Sequence, residues 1–378
     1  MKAVFHRPLA VFRAVFVRRM LVTMSGSVMI FGMAAVVAAP FQALQPLPGQ
    51  PPIPRDNPMS RAKVALGQQL FFDPRLSVTG THSCNTCHNV MAGGEDGRAV
   101  SIGVNGKVGT RGAPTVWNAA FSTVLYRDGR AVSLEDQVKT HLLGATEMGM
   151  PSEQAVVTRI AAIPGYVSQF ARVFGGESAR ESRANAVSYT NIAKAIAAYE
   201  RTLITPDSPY DRYLRGDKKA ISAQAKRGLK EFEEVQCLSC HFWVNLAGPV
   251  PGLAFQMGEG FYELFPNYTG SSYDQQYQLA DDLGRYNVTG IESDRRMWRV
   301  MSLRNVAVTA PYFHNGTVKT LDEAVRVMGK TQLNKALTDQ QVQDITAFLN
   351  TLTGKFPEQK MPRLPATPNG SVVDPAAP

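Results

Sequence analysis

Two short stretches carry residue types whose spacing could do chemistry: Cys84-Asn85-Thr86-Cys87-His88 and Cys237-Leu238-Ser239-Cys240-His241. Each reads C-x-x-C-H. At that spacing two thiols reach the vinyl groups of one porphyrin as thioethers, and the next histidine lies under the iron as its proximal ligand. The two copies use all four cysteines of the chain, so none is left for a disulfide or an all-cysteine zinc centre. A mixed zinc site would need ligand spacings that pair the two clusters. The expectation is therefore two covalently bound haems c, held by Cys84 and Cys87 with His88, and by Cys237 and Cys240 with His241.

At 378 residues, 44% of them hydrophobic, the chain is long enough for two domains and a large core. The net charge of +9 overstates the charge of the folded part. Residues 1–39 contain Lys2, Arg7, Arg13, Arg18 and Arg19 and no acid, which supplies +5 and leaves about +4 elsewhere. A nucleic-acid partner gains no support from that balance. The same segment has a basic start ending at Arg18-Arg19 and an apolar run from Met20 to Ala39 with small residues at its end, the pattern of an export signal. The run also approaches the roughly 20 residues that span a bilayer, so a cleaved signal and a retained inner-membrane anchor both stay open. Either way the folded part is expected in the periplasm, where haem c is attached.

The elements that must position the motifs read as mainly α. Residues 40–58 hold seven prolines and read as a linker. Ser60 is placed to cap a helix through Leu66, Leu70 and Phe71, stopped by Asp73-Pro74. Residues 91–114 carry seven glycines and read as a loop over a haem face. Helical periodicity returns at 134–142, 152–163 and 186–203, then at 223–235, 321–329 and 338–353. Pro206 and Pro209 suggest a boundary near 205–220. Two cytochrome c-like domains follow, at 59–210 and 211–356, each with one haem c, and residues 357–378 read as a flexible tail.

The order of motifs resembles the bacterial dihaem cytochrome c peroxidase family, including its relatives that mature methylamine dehydrogenase. The resemblance runs over roughly residues 58–357. It rests on Asp73-Pro74-Arg75-Leu76-Ser77, Ala113-Pro114-Thr115, Asp128-Gly129-Arg130-Ala131 and Glu147-Met148 in the first half. In the second half it rests on Ser302-Leu303-Arg304-Asn305-Val306, Pro311-Tyr312-Phe313-His314-Asn315-Gly316 and Met328-Gly329-Lys330-Thr331-Gln332-Leu333. The resemblance implies a peroxide-reducing first haem, and a high-potential electron-transfer haem with Met328 as the axial partner of His241. It implies Glu147 and Gln137 as the groups that move or hold the peroxide proton. The maturation relatives use a tyrosine in the place of Met328, so the methionine favours an ordinary peroxidase. The electron donor is left open among a small cytochrome c, a cupredoxin and quinol, and so is a homodimer. Two other readings stand beside this one: a plain electron-transfer dihaem cytochrome, and a peroxide-driven oxidase of a partner protein.

Several departures from the family pattern matter. Val104 stands where relatives often have a ligating histidine, which implies a first haem open at rest. His141 stands where a proline is usual, four residues after Gln137 and so on the same helical face. It could be a further acid/base group, a replacement sixth ligand or a packing histidine. Arg127 replaces an inter-haem tryptophan, and Gly112 replaces an asparagine that helps hold calcium. The carbonyls near Thr309 and Pro311 still leave a calcium ion open. His82 and His314 read as haem-edge or structural residues, and His6 lies in the export segment.

Overall fold

The computed structural model describes residues 44–175, 186–249, 258–368 and 370–373. The export segment at 1–39, the start of the linker and the last residues of the tail lie outside the described residues. The chain is mainly helical, with one two-stranded antiparallel sheet pairing β1 (Tyr262–Leu264) with β2 (Met297–Arg299) among the described residues.

In the first half, α1 (Arg61–Phe72) starts where Ser60 accepts a hydrogen bond from the Lys63 N–H and ends at Asp73. The C-x-x-C turn forms a short helix α2 (Cys84–Cys87), and α3 (Leu134–Leu143) is capped by Ser133. The periodic stretch at 152–163 becomes α4 (Glu153–Ala161). A separate helix α5 (Pro164–Phe174) follows, with Pro164 at its first position, where a missing N–H costs nothing. Next comes α6 (Tyr189–Glu200). Leu66, Leu70, Phe71, Ile160, Tyr166, Phe170, Ile192 and Ile196 are fully buried together, each contributing on the order of 1.5–3 kcal/mol.

In the second half, Pro209 opens α7 (Pro209–Leu214) instead of merely breaking a helix. Then come α8 (Ala223–Glu234), two short helices, α9 (Ser272–Tyr277) and α10 (Tyr286–Thr289), and finally α11 (Leu321–Leu333) and α12 (Asp339–Asn350). A second core forms from Tyr210, Phe232, Leu246, Val342, Ile345, Phe348 and Leu352.

The halves repeat one packing device. The helix ahead of each haem motif crosses a later helix at a glycine: Gly67 on α1 meets the Ala195 carbonyl on α6, and Gly228 on α8 meets the Asp344 carbonyl on α12. A Cβ at either glycine would run into that carbonyl, so the helix axes could not approach as they do. A longer repeat spans Asn118–His141 and Asn305–Met328. Asn118 and Asn305 are both left-handed (φ 62° and 61°), and each precedes a 3₁₀ turn. Tyr126 and Phe313 are left-handed again (φ 62° and 67°), as are Gly129 and Gly316. Leu125 bridges to Ala131, and Tyr312 to Val318. Ser133 and Thr320 then cap α3 and α11. No residue is inserted or lost between the two copies.

Residues 42–378 cluster as one unit. A small cluster of Leu47, Phe121, Ile204, Phe242, Trp243 and Val244 joins the halves. The buried Arg304–Asp211 pair (2.7 Å) ties them to the segment before α1, since Arg304 also donates to Gln45 O and Asp211 accepts from Leu47 N–H. The segment read as a linker is thus anchored at Leu47, and Asn57 is buried beside Lys63. The proline-rich stretch read as a flexible tail is extended but held on the first half. Gln68 and Gln69 donate to its Lys360 and Arg363 carbonyls, and Arg75 donates to Pro365 O. Phe356 meets Trp117 edge-on. Asp73, which resemblance marked as a motif residue, is the buried acceptor for Arg75 and Tyr166.

Candidate functional site

Each C-x-x-C-H motif lies at a cavity. The first, of about 220 Å³, is lined by Cys87, His88, Gln137, His141 and Glu147 among others. The second, of about 280 Å³, is lined by Cys237, Cys240, His241 and Met328. All the site residues expected from the sequence are therefore brought to one or other cavity, except Cys84, which is buried at the start of α2.

The motif geometry is the same at both. The His88 backbone N–H bonds Cys84 O (2.9 Å), and that of His241 bonds Cys237 O (3.0 Å), closing each C-x-x-C-H into a tight turn. The Nδ1 of His88 lies 3.0 Å from Pro114 O, and that of His241 2.9 Å from Leu246 O. An imidazole whose Nδ1–H donates to a carbonyl presents an unprotonated Nε2, the form that ligates a metal. Burial lowers both histidine pKa values, that of His88 to about 4 with a further push from His141. Both rings are thus neutral. Burial also raises all four thiols, Cys87 to about 11 and Cys237 and Cys240 to about 12, so none is a reactive thiolate. Two thiols, a neutral imidazole and an apolar cavity at each motif fit a haem. Met328, on α11, lines the second cavity together with Leu333, Ile345 and Leu349.

The first cavity has polar groups on the side away from α2. On α3, Leu134, Val138 and Leu142 face the core, while Gln137 and His141 occupy the adjoining stripe and line the cavity. Glu147 follows α3, and its carboxylate lies 3.1 Å from His141 Nδ1, off the ring N–H direction and so a charge contact more than an aligned hydrogen bond. Burial alone would raise the Glu147 pKa, but His141 and Arg130 hold it below the usual carboxylate range. The same contact raises His141 above the ordinary imidazole value against the effect of burial. Arg130 Nη2 is 3.9 Å from the other Glu147 oxygen, and its guanidinium stacks on Tyr126. The His88 and His141 rings both line the cavity, with centroids 6.2 Å apart and planes tilted at 57°. Val104 is buried, and its N–H donates to Glu147 O, so this loop contributes no ligand and instead holds the backbone of Glu147.

Between the cavities lie arginines that the sequence did not mark as a group. Arg127 and Arg299 line both cavities. Arg127 Nε donates to Gly112 O (3.0 Å), and Arg299 donates to Tyr126 O and Ser122 Oγ. Among the described residues neither has a carboxylate within ion-pair distance, whereas nearby Arg111 is paired with Asp128 and Asp282. Burial lowers both guanidinium pKa values to about 10, and at Arg127 repulsion from Arg299 and Arg111 adds to it. The cue in the sequence was a second arginine, Arg299, just ahead of the Ser302-Leu303-Arg304-Asn305 motif. His314, also between the cavities, stacks on Trp298 at 4.4 Å and is lowered to about 4, chiefly by burial. His82 sits at the edge of the first cavity, bonded to Thr81.

Residues 61–219 match the family described as di-haem cytochrome c peroxidase. The chain is 42% identical to the cytochrome c551 peroxidase of Pseudomonas aeruginosa, over 85% of this chain and 88% of that one. It is also 42% identical to a cytochrome c peroxidase of Escherichia coli, over 81% of this chain and 61% of that longer protein. Among solved structures, a MauG-like protein associated with microbial copper homeostasis superposes with a TM-score of 0.70 at 32% identity, covering 82% of this chain and 95% of the other. The chain belongs to the di-haem cytochrome c peroxidase family.

Proposed function

We propose that this protein is a periplasmic dihaem peroxidase that reduces hydrogen peroxide to water with electrons from an external donor. The observation that carries this reading is that Glu147 and Gln137 line the same cavity as Cys87 and His88. In this reading Cys84, Cys87 and His88 hold one haem c, and Cys237, Cys240, His241 and Met328 hold the other, in two domains meeting near residue 205. When bound, the haems supply the electron carriers and the iron at which the peroxide O–O bond is split.

The side chains supply the rest. Glu147 is the only carboxylate within reach of His141 in the first cavity among the described residues, and its lowered pKa keeps it ionised and able to take the peroxide proton. The Gln137 amide, an uncharged donor and acceptor on the same face of α3, orients the two oxygens without competing for the proton. Arg130 and the Glu147 backbone contact with Val104 hold the carboxylate in place. At the second cavity Met328 would hold the haem with His241, and its thioether would favour electron transfer over substrate binding.

A small cytochrome c, a cupredoxin or a quinol suits an exported donor. Membrane anchoring by residues 20–39 and a homodimer are further parts of the proposal that need their own tests; among the described residues no helix is long and apolar enough to cross a membrane. Calcium fits less well, because the Gly112 carbonyl already accepts from the Arg127 guanidinium. The plain electron carrier is the competing reading. Mixing the reduced holoprotein with hydrogen peroxide separates the two: oxidation of the haems with peroxide consumed supports the peroxidase, and reduced haems that persist support the carrier.

A further inference from the structure

We infer that His141 is the sixth ligand of the first haem in the resting protein, so that the peroxide site is closed by a residue of α3 and opens only when His141 leaves. Two independent observations carry this, and both rest on the dihaem reading above.

The first is a length. Two metal–imidazole bonds of about 2 Å each, with about 1 Å of ring on either side, place two axial imidazoles with centroids about 6 Å apart. His88 and His141 are at 6.2 Å. A distal histidine acting only on bound peroxide would stand several ångströms further off, because the peroxide must fit between. The hydrogen-bonding atoms agree. His88 Nδ1 is bound to Pro114 O and His141 Nδ1 faces the Glu147 carboxylate, so Nε2 is the nitrogen of each ring not turned toward those contacts.

The second is the repeat. From Asn118/Asn305 through Tyr126/Phe313, Gly129/Gly316 and the caps Ser133/Thr320, the two halves correspond residue for residue. Continued without a gap along α3 and α11, the correspondence pairs His141 with Met328. Met328, which lines the second cavity with His241, thus has its counterpart in a histidine that lines the first cavity with His88. The same local fold delivers an axial donor to each site, a thioether in one and an imidazole in the other.

This changes what Val104 implies. The loop carries no ligand, yet the site is not open at rest, because the helix supplies one. It also couples two events. Glu147 is held by His141, so departure of the imidazole from the iron frees the carboxylate at the same moment that it vacates the peroxide position.

The test is electron paramagnetic resonance and optical spectroscopy of the oxidised holoprotein as purified. Two low-spin ferric haems are expected in the wild type. His141→Ala is expected to convert the first haem to high spin and to let azide bind it without prior reduction, while Gln137→Ala leaves it low-spin. A high-spin first haem in the wild type, or a His141→Ala spectrum identical to wild type, overturns the inference. Should His141→Ala fail to fold, the wild-type spectrum decides alone. Peroxide turnover does not enter this measurement. A protein inert to peroxide would still reveal the ligand, and an active one with a high-spin first haem would refute the ligand and leave the peroxidase reading standing.

Discussion

At the scale of single residues, the first cavity divides its work by charge. Glu147 is kept ionised by His141 and Arg130, whereas Gln137 is neutral beside it. Replacing Glu147 by Gln removes the proton acceptor and keeps the shape. The expected result is a fall of about 10²–10⁴ in kcat with unchanged haem content, measured by steady-state peroxide consumption. Gln137→Ala is expected to cost less and to act mainly on KM, since it removes orientation and no proton. In the second cavity, Met328→Ala is expected to lower the reduction potential of that haem and to leave the first haem's spectrum unaltered, because loss of the thioether withdraws the ligand that favours the reduced iron. Spectroelectrochemical titration of the holoprotein measures this directly.

At the scale of elements, the crossings at Gly67 and Gly228 set the distance between the helix that leads into each haem motif and the helix it packs on. Gly67→Ala is expected to destabilise the first half by about 1–3 kcal/mol or more through overpacking against the Ala195 carbonyl, seen as a lowered melting temperature. A second element-level effect comes from Glu200, buried at the end of α6 with one oxygen unpartnered and its pKa raised to about 8, first by burial. A carboxyl with a raised folded pKa binds its proton more tightly in the native state. Its contribution is full below the ordinary carboxylate range and is lost as pH climbs toward 8. The melting temperature of the wild type is thus expected to fall over that window more than that of Glu200→Gln. An equal pH slope in the two proteins would exclude Glu200 as the cause.

Much of this was legible in the sequence because it is local. Ser60, Ser133 and Thr320 announce helix starts by their own side-chain chemistry, and the two C-x-x-C-H motifs name their sites outright. What was not legible depends on distant partners. Pro209 looked like a break and is a helix start. The segments at 44–58 and 357–368 have the composition of loose chain, yet they are held by Asp211, Arg75 and the Gln68–Gln69 pair, which no local pattern reveals. The roles of Arg127 and Arg299 emerge only when both are seen to line the same two cavities. The correspondence of His141 with Met328 was present in the sequence, but its turns preserve backbone conformation more than residue identity, so it shows clearly only when the left-handed residues are matched.

At the scale of the whole molecule, two haem sites share a wall of uncompensated positive charge. Two buried guanidinium groups with no carboxylate at ion-pair distance among the described residues call for anions, a need that the carboxylates of bound haems would meet. Positive charge near a haem favours its reduced state. Arg127→Gln is therefore expected to move both midpoint potentials down, and Arg127→Lys to restore them in part; unchanged potentials in Arg127→Gln would show that the charge lies too far from either iron to matter.

The central claim is that the first site reduces peroxide with electrons delivered through the second. Its most direct test is rapid-mixing absorption spectroscopy of the fully reduced holoprotein with one equivalent of hydrogen peroxide. The account predicts fast oxidation of the His241/Met328 haem, with Glu147→Gln slowing it by the factor given above. Reduced spectra that persist in both the wild type and His141→Ala would contradict it and make the protein an electron carrier.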